Sequence, residues 1–191
     1  MVHAIVVQTL QPGESEVLYY RFYSSSEISA AGVEPGASSR PPKLFDTPAE
    51  KQDLARHVSR KVQLQFHMKL AQSLVPAGPH AAVRGGYTER GWKERVELPV
   101  VWQGWLGSGL ALALLCSAHD NLMQAQNVLE TLSAQLEKHL QFVSSPAMAL
   151  SLVETVALVV NQFLPSGRLL FLNSKLVHTL ERQLEADLYA K

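Results

Sequence analysis

Residues 97–140 read ELPVVWQGWLGSGLALALLCSAHDNLMQAQNVLETLSAQLEKHL and hold strand, turn, strand and helix signals in unbroken succession. Residues 99–105 are rich in β-branched and aromatic side chains, Gly107-Ser108-Gly109 breaks the run, and residues 110–116 alternate at period two. The pattern predicts a hairpin. In its second strand Leu110, Leu112, Leu114 and Cys116 point one way and Ala111, Ala113 and Leu115 the other, so neither face suits water. Both faces must be covered. After Ser117 the period becomes helical: Leu122, Ala125, Leu129, Leu132, Leu136 and Leu140 fall on one stripe, with Gln124, Gln126, Glu130, Glu137 and Lys138 largely off it.

The flanking chain supplies the cover. Residues 2–10 read as a buried strand, QPGESE as a polar turn, and residues 17–23 as a second strand pairing with the first. Residues 24–42 shift to Ser, Ala, Gly and Pro without periodicity, which predicts a long irregular loop over about 24–46. Thr47-Pro48-Ala49-Glu50 is a helix start, with threonine as N-cap, proline at the first helical position and glutamate closing a capping box. The helix is expected to run to about residue 74. Its apolar row is Leu54, Val58, Val62, Phe66 and Leu70, widened by Leu64, Met68 and Ala71. Residues 76–91 read as a second irregular segment, with Gly85-Gly86 as a turn and a strand beginning near Trp92.

Ser145-Pro146 marks another helix entry. Met148, Leu152, Val153, Val156, Val159, Val160 and Phe163 make that helix apolar nearly all round, so it should be buried. Leu164-Pro165-Ser166-Gly167 ends it, residues 169–172 read as a short extended segment, and Asn173 or Ser174 caps a last helix carrying Val177, Leu180, Leu184 and Leu188. The expected architecture is a single α+β domain over residues 1–191, a three-layer sandwich. An antiparallel sheet carries the long helix on one face and the later helices on the other.

Composition narrows the function. Lys plus Arg is 17 and Asp plus Glu is 17, so no long-range field favours nucleic acid or an acidic membrane. A single cysteine, Cys116, rules out an internal disulfide framework and fits a cytosolic chain. The opening MVHAIVVQTL lacks a basic leader and a cleavage site, and the longest apolar run, residues 106–118, falls short of the roughly 20 residues a bilayer requires. Membrane association is expected to be peripheral.

Candidate chemistry is sparse. Cys116, His119 and Asp120 suggest a nucleophile, yet Cys116 reads as a buried small hydrophobe at a strand end, while Ser117 and Asp120 read as caps for the next helix. The seven histidines show no metal-ligand spacing. Neither glycine cluster follows a strand and opens a helix, as a phosphate loop would. Arg56, Arg60 and Lys61 form either a solvated helix face or a site for acidic lipid heads. Trp102 and Trp105 are candidates for core packing or for anchoring a partner. The sequence points to no catalytic, cofactor-binding or metal residue, and to no particular interface residue.

Taken together, VHAIVVQTL with YYRFY, VVWQGW with LALALLCSAHDNLMQAQNVLETLSAQLEKHL, and the closing FLPSGRLLFLN resemble the small (sigma) subunits of the heterotetrameric vesicle-coat adaptor complexes. The opening MVHA and the FLPSGRLLFLN turn are similar to the sigma subunit of adaptor protein complex 5. The resemblance implies a longin-like fold and a non-enzymatic subunit without cofactors. It implies that the chain clamps a large zeta subunit, in a tetramer with beta and mu chains, in endosomal and vesicle-mediated protein transport. Late endosomes and lysosomes would be the location, with spatacsin and spastizin as further partners. Two alternatives share the broad features: a longin-type regulatory scaffold for a GTPase or SNARE, and an enzyme. A SNARE-type regulator should continue into a heptad helix and a membrane anchor, whereas this sequence ends at Lys191.

Sister sigma subunits help bind acidic dileucine sorting signals through an arginine in the first hairpin and a small pocket residue after the second aromatic of the central strand. Here Val17, with Glu14 and Glu16 close by, stands at the arginine's place and Leu106 at the pocket's. Gln103-Gly104 replaces a basic pair between the aromatics. By the resemblance, recognition of that signal is expected to be lost.

Overall fold

The computed structural model describes residues 1–11, 13, 15–23, 47–72, 81–90, 97–141, 151 and 153–189. In chain order these form β1 (Val2–Thr9), β2 (Val17–Phe22), α1 (Pro48–Gln72), β3 (Ala82–Glu89), β4 (Leu98–Trp105) and β5 (Leu110–Cys116). Then come α2 (Leu122–Leu140), α3 (Val153–Phe163), a 3-10 turn at Pro165–Gly167 and α4 (Ser174–Tyr189). The strands make an antiparallel sheet in the order β2-β1-β5-β4-β3. It is an α+β sandwich of the longin-like kind, as expected.

The alternation in β5 divides the interior in two. Leu110, Leu112, Leu114 and Cys116 join Val2, Ile5, Val7, Val101 and Trp105 beneath α2, α3 and α4. Ala111, Ala113 and Leu115 join Ala4, Val6, Val100 and Trp102 beneath Leu54, Val58, Val62 and Phe66 of α1. All seven β5 side chains are buried. Fully burying a leucine is worth about 1.5–3 kcal/mol, so neither layer is dispensable.

Local signals set the helix ends. Thr47 Oγ1 accepts the Glu50 N–H at 3.2 Å and Glu50 Oε2 accepts the Thr47 N–H at 3.3 Å, a reciprocal capping box. Asn121, rather than Ser117 or Asp120, caps α2: its Oδ1 accepts the N–H groups of Met123 at 3.0 Å and Gln124 at 3.2 Å. At the far end Gln141 adopts φ 49° and donates to the Glu137 carbonyl. Asn173 caps α4 through Leu176 N–H at 2.8 Å.

Four expectations are corrected. Residues 82–89, read as part of an irregular segment, are edge strand β3, paired with β4 from Ala82↔Trp105 to Glu89↔Leu98. Gly85 and Gly86 are therefore strand residues, not a turn. A Cβ on Gly85 would lie 2.5 Å from the Trp102 ring, so the glycine makes room for the indole. Leu64, Met68 and Ala71 do not widen the buried row of α1: all three are exposed, Leu64 by 61% and Met68 by 51%. Within α3, Val156, Val159, Val160 and Phe163 are buried while Val153 is 43% exposed, so that helix has one wet side. Leu122, placed on the α2 stripe, is also exposed at the helix start. The expectations for residues 24–46, Trp92, Ser145-Pro146, Met148 and Leu152 lie outside the described residues.

Gly167 closes α3 in the left-handed region, with φ +74°, and a Cβ there would lie 2.5 Å from the Val2 carbonyl oxygen and 2.8 Å from the Tyr23 ring. Left-handed backbone costs a non-glycine residue about 1–2 kcal/mol and overpacking about 1–3 more. Gly109, at φ +64°, would bring its Cβ no closer than 3.7 Å to Gln11. In urea melts Gly167→Ala should lose at least about 1 kcal/mol more than Gly109→Ala. Equal midpoints would mean that the Val2 and Tyr23 contacts yield freely.

Candidate functional site

The two tryptophans of β4 lie on opposite faces because an odd spacing separates them. Trp102 is fully buried on the α1 side, donating its Nε1–H to Gln65 Oε1 at 2.9 Å and meeting Phe66 edge-on at 6.2 Å. Trp105 is buried under α2. Both are core residues, which overturns the reading of either as an exposed partner anchor.

Cys116, His119 and Asp120 go to three environments. The thiol is buried, 4.0 Å from the Leu114 carbonyl oxygen. Burial pushes its pKa up to about 12, and the Asp120 carboxylate acts in the same direction. Asp120 accepts the Ser117 N–H at 2.7 Å and pairs with the amino group of Met1. His119 is exposed. A thiol so protonated is a packing group, since the thiolate is the nucleophile. Among the described residues no three His, Cys, Asp or Glu side chains group as a metal site requires, and no helix is long and apolar enough to cross a membrane.

One polar cluster lies between α1 and the edge strand. Lys61 Nζ donates to Oε1 of the buried Glu89 carboxylate at 2.9 Å and stands 2.8 Å from Oε2 as an ion pair, and His57 Nε2 lies 3.3 Å from Oε1. Lys61 also lies 5.9 Å over the Tyr87 ring. Two turns further along, Lys69 Nζ donates to the Arg84 carbonyl at 2.5 Å and sits 5.7 Å over the Trp102 ring. These contacts fasten β3 to α1. Of the basic trio read from the sequence, Lys61 is thus partly exposed but engaged by Glu89, while Arg56 and Arg60 are exposed.

The arrangement offers surfaces rather than a cleft. Leu64 and Met68, one helical turn apart, share the outward side of α1 with those two arginines. A helical wheel drawn on the row Leu54, Val58, Val62 and Phe66 would have placed Leu64 on the opposite side. On the other face of the molecule Met123 is 72% exposed and Phe171 is 80% exposed. At the hairpin ends Val17 is half-buried opposite Gln8, and Leu106 is exposed. Gln103 is buried and donates to Ser133 Oγ at 3.3 Å, and a Cβ on Gly104 would meet Leu10 at 2.7 Å. Glu14 lies outside the described residues.

A family model described as AP-5 complex subunit sigma-1 matches residues 1–185. The AP-5 complex subunit sigma-1 of Homo sapiens is 28% identical over 202 aligned residues, spanning 97% of this chain and 98% of the human protein.

The burial of Cys116 is open to a direct measurement. At pH 8 a thiol of pKa about 12 keeps its proton, so iodoacetamide should label Cys116 only once urea unfolds the chain. Cys116→Ser should cost about 1–2 kcal/mol by burying a hydroxyl in an apolar site. Rapid labelling of the folded chain would show that the thiol reaches solvent.

Proposed function

Because the chain belongs to the AP-5 complex subunit sigma-1 family, we propose that it is a non-enzymatic small subunit that braces the large zeta chain of a heterotetrameric adaptor complex. In this reading it works as a single longin-like domain beside beta and mu chains, in endosomal and vesicle-mediated protein transport. Its place is the cytosolic face of late endosomes and lysosomes, held there peripherally through the complex, with spatacsin and spastizin as associated proteins. The observation that carries the reading is the extent of the family match, which takes in the sheet and, among the described residues, runs into the last helix rather than covering one motif. The distribution of side chains agrees with a bracing role. The Cys116 thiol is turned inward, whereas large apolar side chains such as Leu64, Met68, Met123 and Phe171 stand on outer surfaces, where they suit a partner.

Co-expression tests this directly. Alone, the chain should be poorly soluble or should aggregate, and co-expression with the zeta chain should return it as a monodisperse complex. A stable monomer that ignores the zeta chain would sink the reading.

Cargo binding is part of the same proposal. The positions that would hold an acidic dileucine signal carry no cation here: Val17 is partly covered, Gln103 faces Ser133 and Leu106 fills the place of a small residue. Losing a charge-assisted hydrogen bond costs roughly 1.5–3 kcal/mol, about ten- to a hundredfold in affinity. An acidic dileucine peptide titrated into the pair of this chain and its large subunit should show no binding up to millimolar peptide. Micromolar binding that disappears when both leucines become serine would restore a signal pocket.

A further inference from the structure

The buried row of α1 fixes what lies on its other side. With Leu54, Val58, Val62 and Phe66 turned into the core, the row Arg56, Arg60, Leu64 and Met68 runs along the outside at four-residue spacing. From residue 54 to residue 72 the helix holds no aspartate or glutamate. Its two lysines in that span are drawn sideways onto β3, Lys61 to Glu89 and Lys69 to the Arg84 carbonyl. Among the described residues Arg56 meets Asp53 at 4.0 Å, with both side chains more than half exposed, a pairing that water and salt largely screen. The outward face is therefore an apolar step of two side chains continued by two arginines.

We infer that this face docks an acidic amphipathic helix of a partner chain, whose apolar ridge covers Leu64 and Met68 and whose carboxylates meet Arg56 and Arg60. Charge complementarity identifies the occupant. An uninterrupted basic stretch repels a basic partner and leaves a neutral one without a match, and arginine forms the planar two-pronged pair with a carboxylate that lysine does not. The composition separates a protein from a bilayer. Methionine and arginine are enriched at protein interfaces and lysine is depleted. Acidic lipid surfaces are read by clusters of roughly four to eight basic residues, and interfacial helices by Trp, Phe and Leu anchors. Here two outward arginines and no aromatic are present on that row. The inference rests on the sigma-subunit reading for the existence of a large partner, and assigns to it one face of this chain.

Three preparations of the full chain decide the matter: the natural sequence, R56E/R60E and L64A/M68A. Each is co-expressed with the zeta chain and the complex is then titrated at low and high salt. Because all four side chains are exposed, thermal melts of the variants should match the natural chain. Both variants should weaken the complex at least tenfold, and only R56E/R60E should flatten the salt dependence. M123A/F171A, on the other face, should bind like the natural chain. If the natural chain binds and all variants bind equally well, the assignment of this face is wrong and the sigma reading stands. If the natural chain does not bind, both fall. Vesicles containing phosphatidylserine form the last arm: loss of vesicle binding in R56E/R60E, with the zeta complex unchanged, would make the bilayer the occupant and overturn the inference.

Discussion

The constraint on which the rest of the structure depends is that β5 is apolar on both faces and lies in the middle of the sheet. A strand with one polar face can sit against solvent, but one reading Leu-Ala-Leu-Ala-Leu-Leu-Cys cannot. It must be paired on both edges, by β1 and β4, and covered on both sides, by α1 and by the group of α2, α3 and α4. The two covers are unequal because the two rows are unequal. The leucine row faces three helices, whereas the small row, Ala111 and Ala113, leaves depth that a single helix and one large ring can fill.

That ring is Trp102, and it organises its neighbours in turn. Across the ladder it stands between Ala113 on β5 and Gly85 on β3, so the indole lies over the two smallest side-chain positions available. A methyl group at Gly85 has no room. The buried N–H is satisfied by Gln65, Phe66 packs against the ring, and Lys69 reaches across it to β3. One side chain thereby ties the central strand, the edge strand and the long helix together. This explains why an edge strand of low intrinsic strand propensity is held in register.

Legibility in the sequence followed how local the cause was. The central hairpin, the Thr47–Glu50 box and the α2 stripe were readable because each signal sits within a few residues of the element it specifies. Strand β3 was not, because Gly85 and Gly86 look like turn residues until Trp102, distant in sequence, is placed beside them. Asp120 looked like a cap, yet Asn121 takes that role while Asp120 pairs with the Met1 amino group across the sheet end. At Leu64 and Met68 hydrophobicity outweighed position on the helical wheel. Family resemblance supplied what residue chemistry could not, since the chain's reactive side chain, Cys116, is spent on packing.

The split between lysine and arginine on α1 shows how one helix serves the fold and still presents a surface. Lysine is a compact charge on a long flexible stem, so Lys61 and Lys69 can lay their methylenes along Tyr87 and Trp102 and deliver the ammonium to β3. Glu89 pairs with the charge of Lys61, and the Arg84 carbonyl holds the ammonium of Lys69 against β3. Arg56 and Arg60 stand a turn apart on the opposite flank, too far around the helix to share those partners. The internal contacts thus engage the lysines with β3 and leave the outer arginines to the surface. The outward row can vary with a partner chain without disturbing the sheet beneath it.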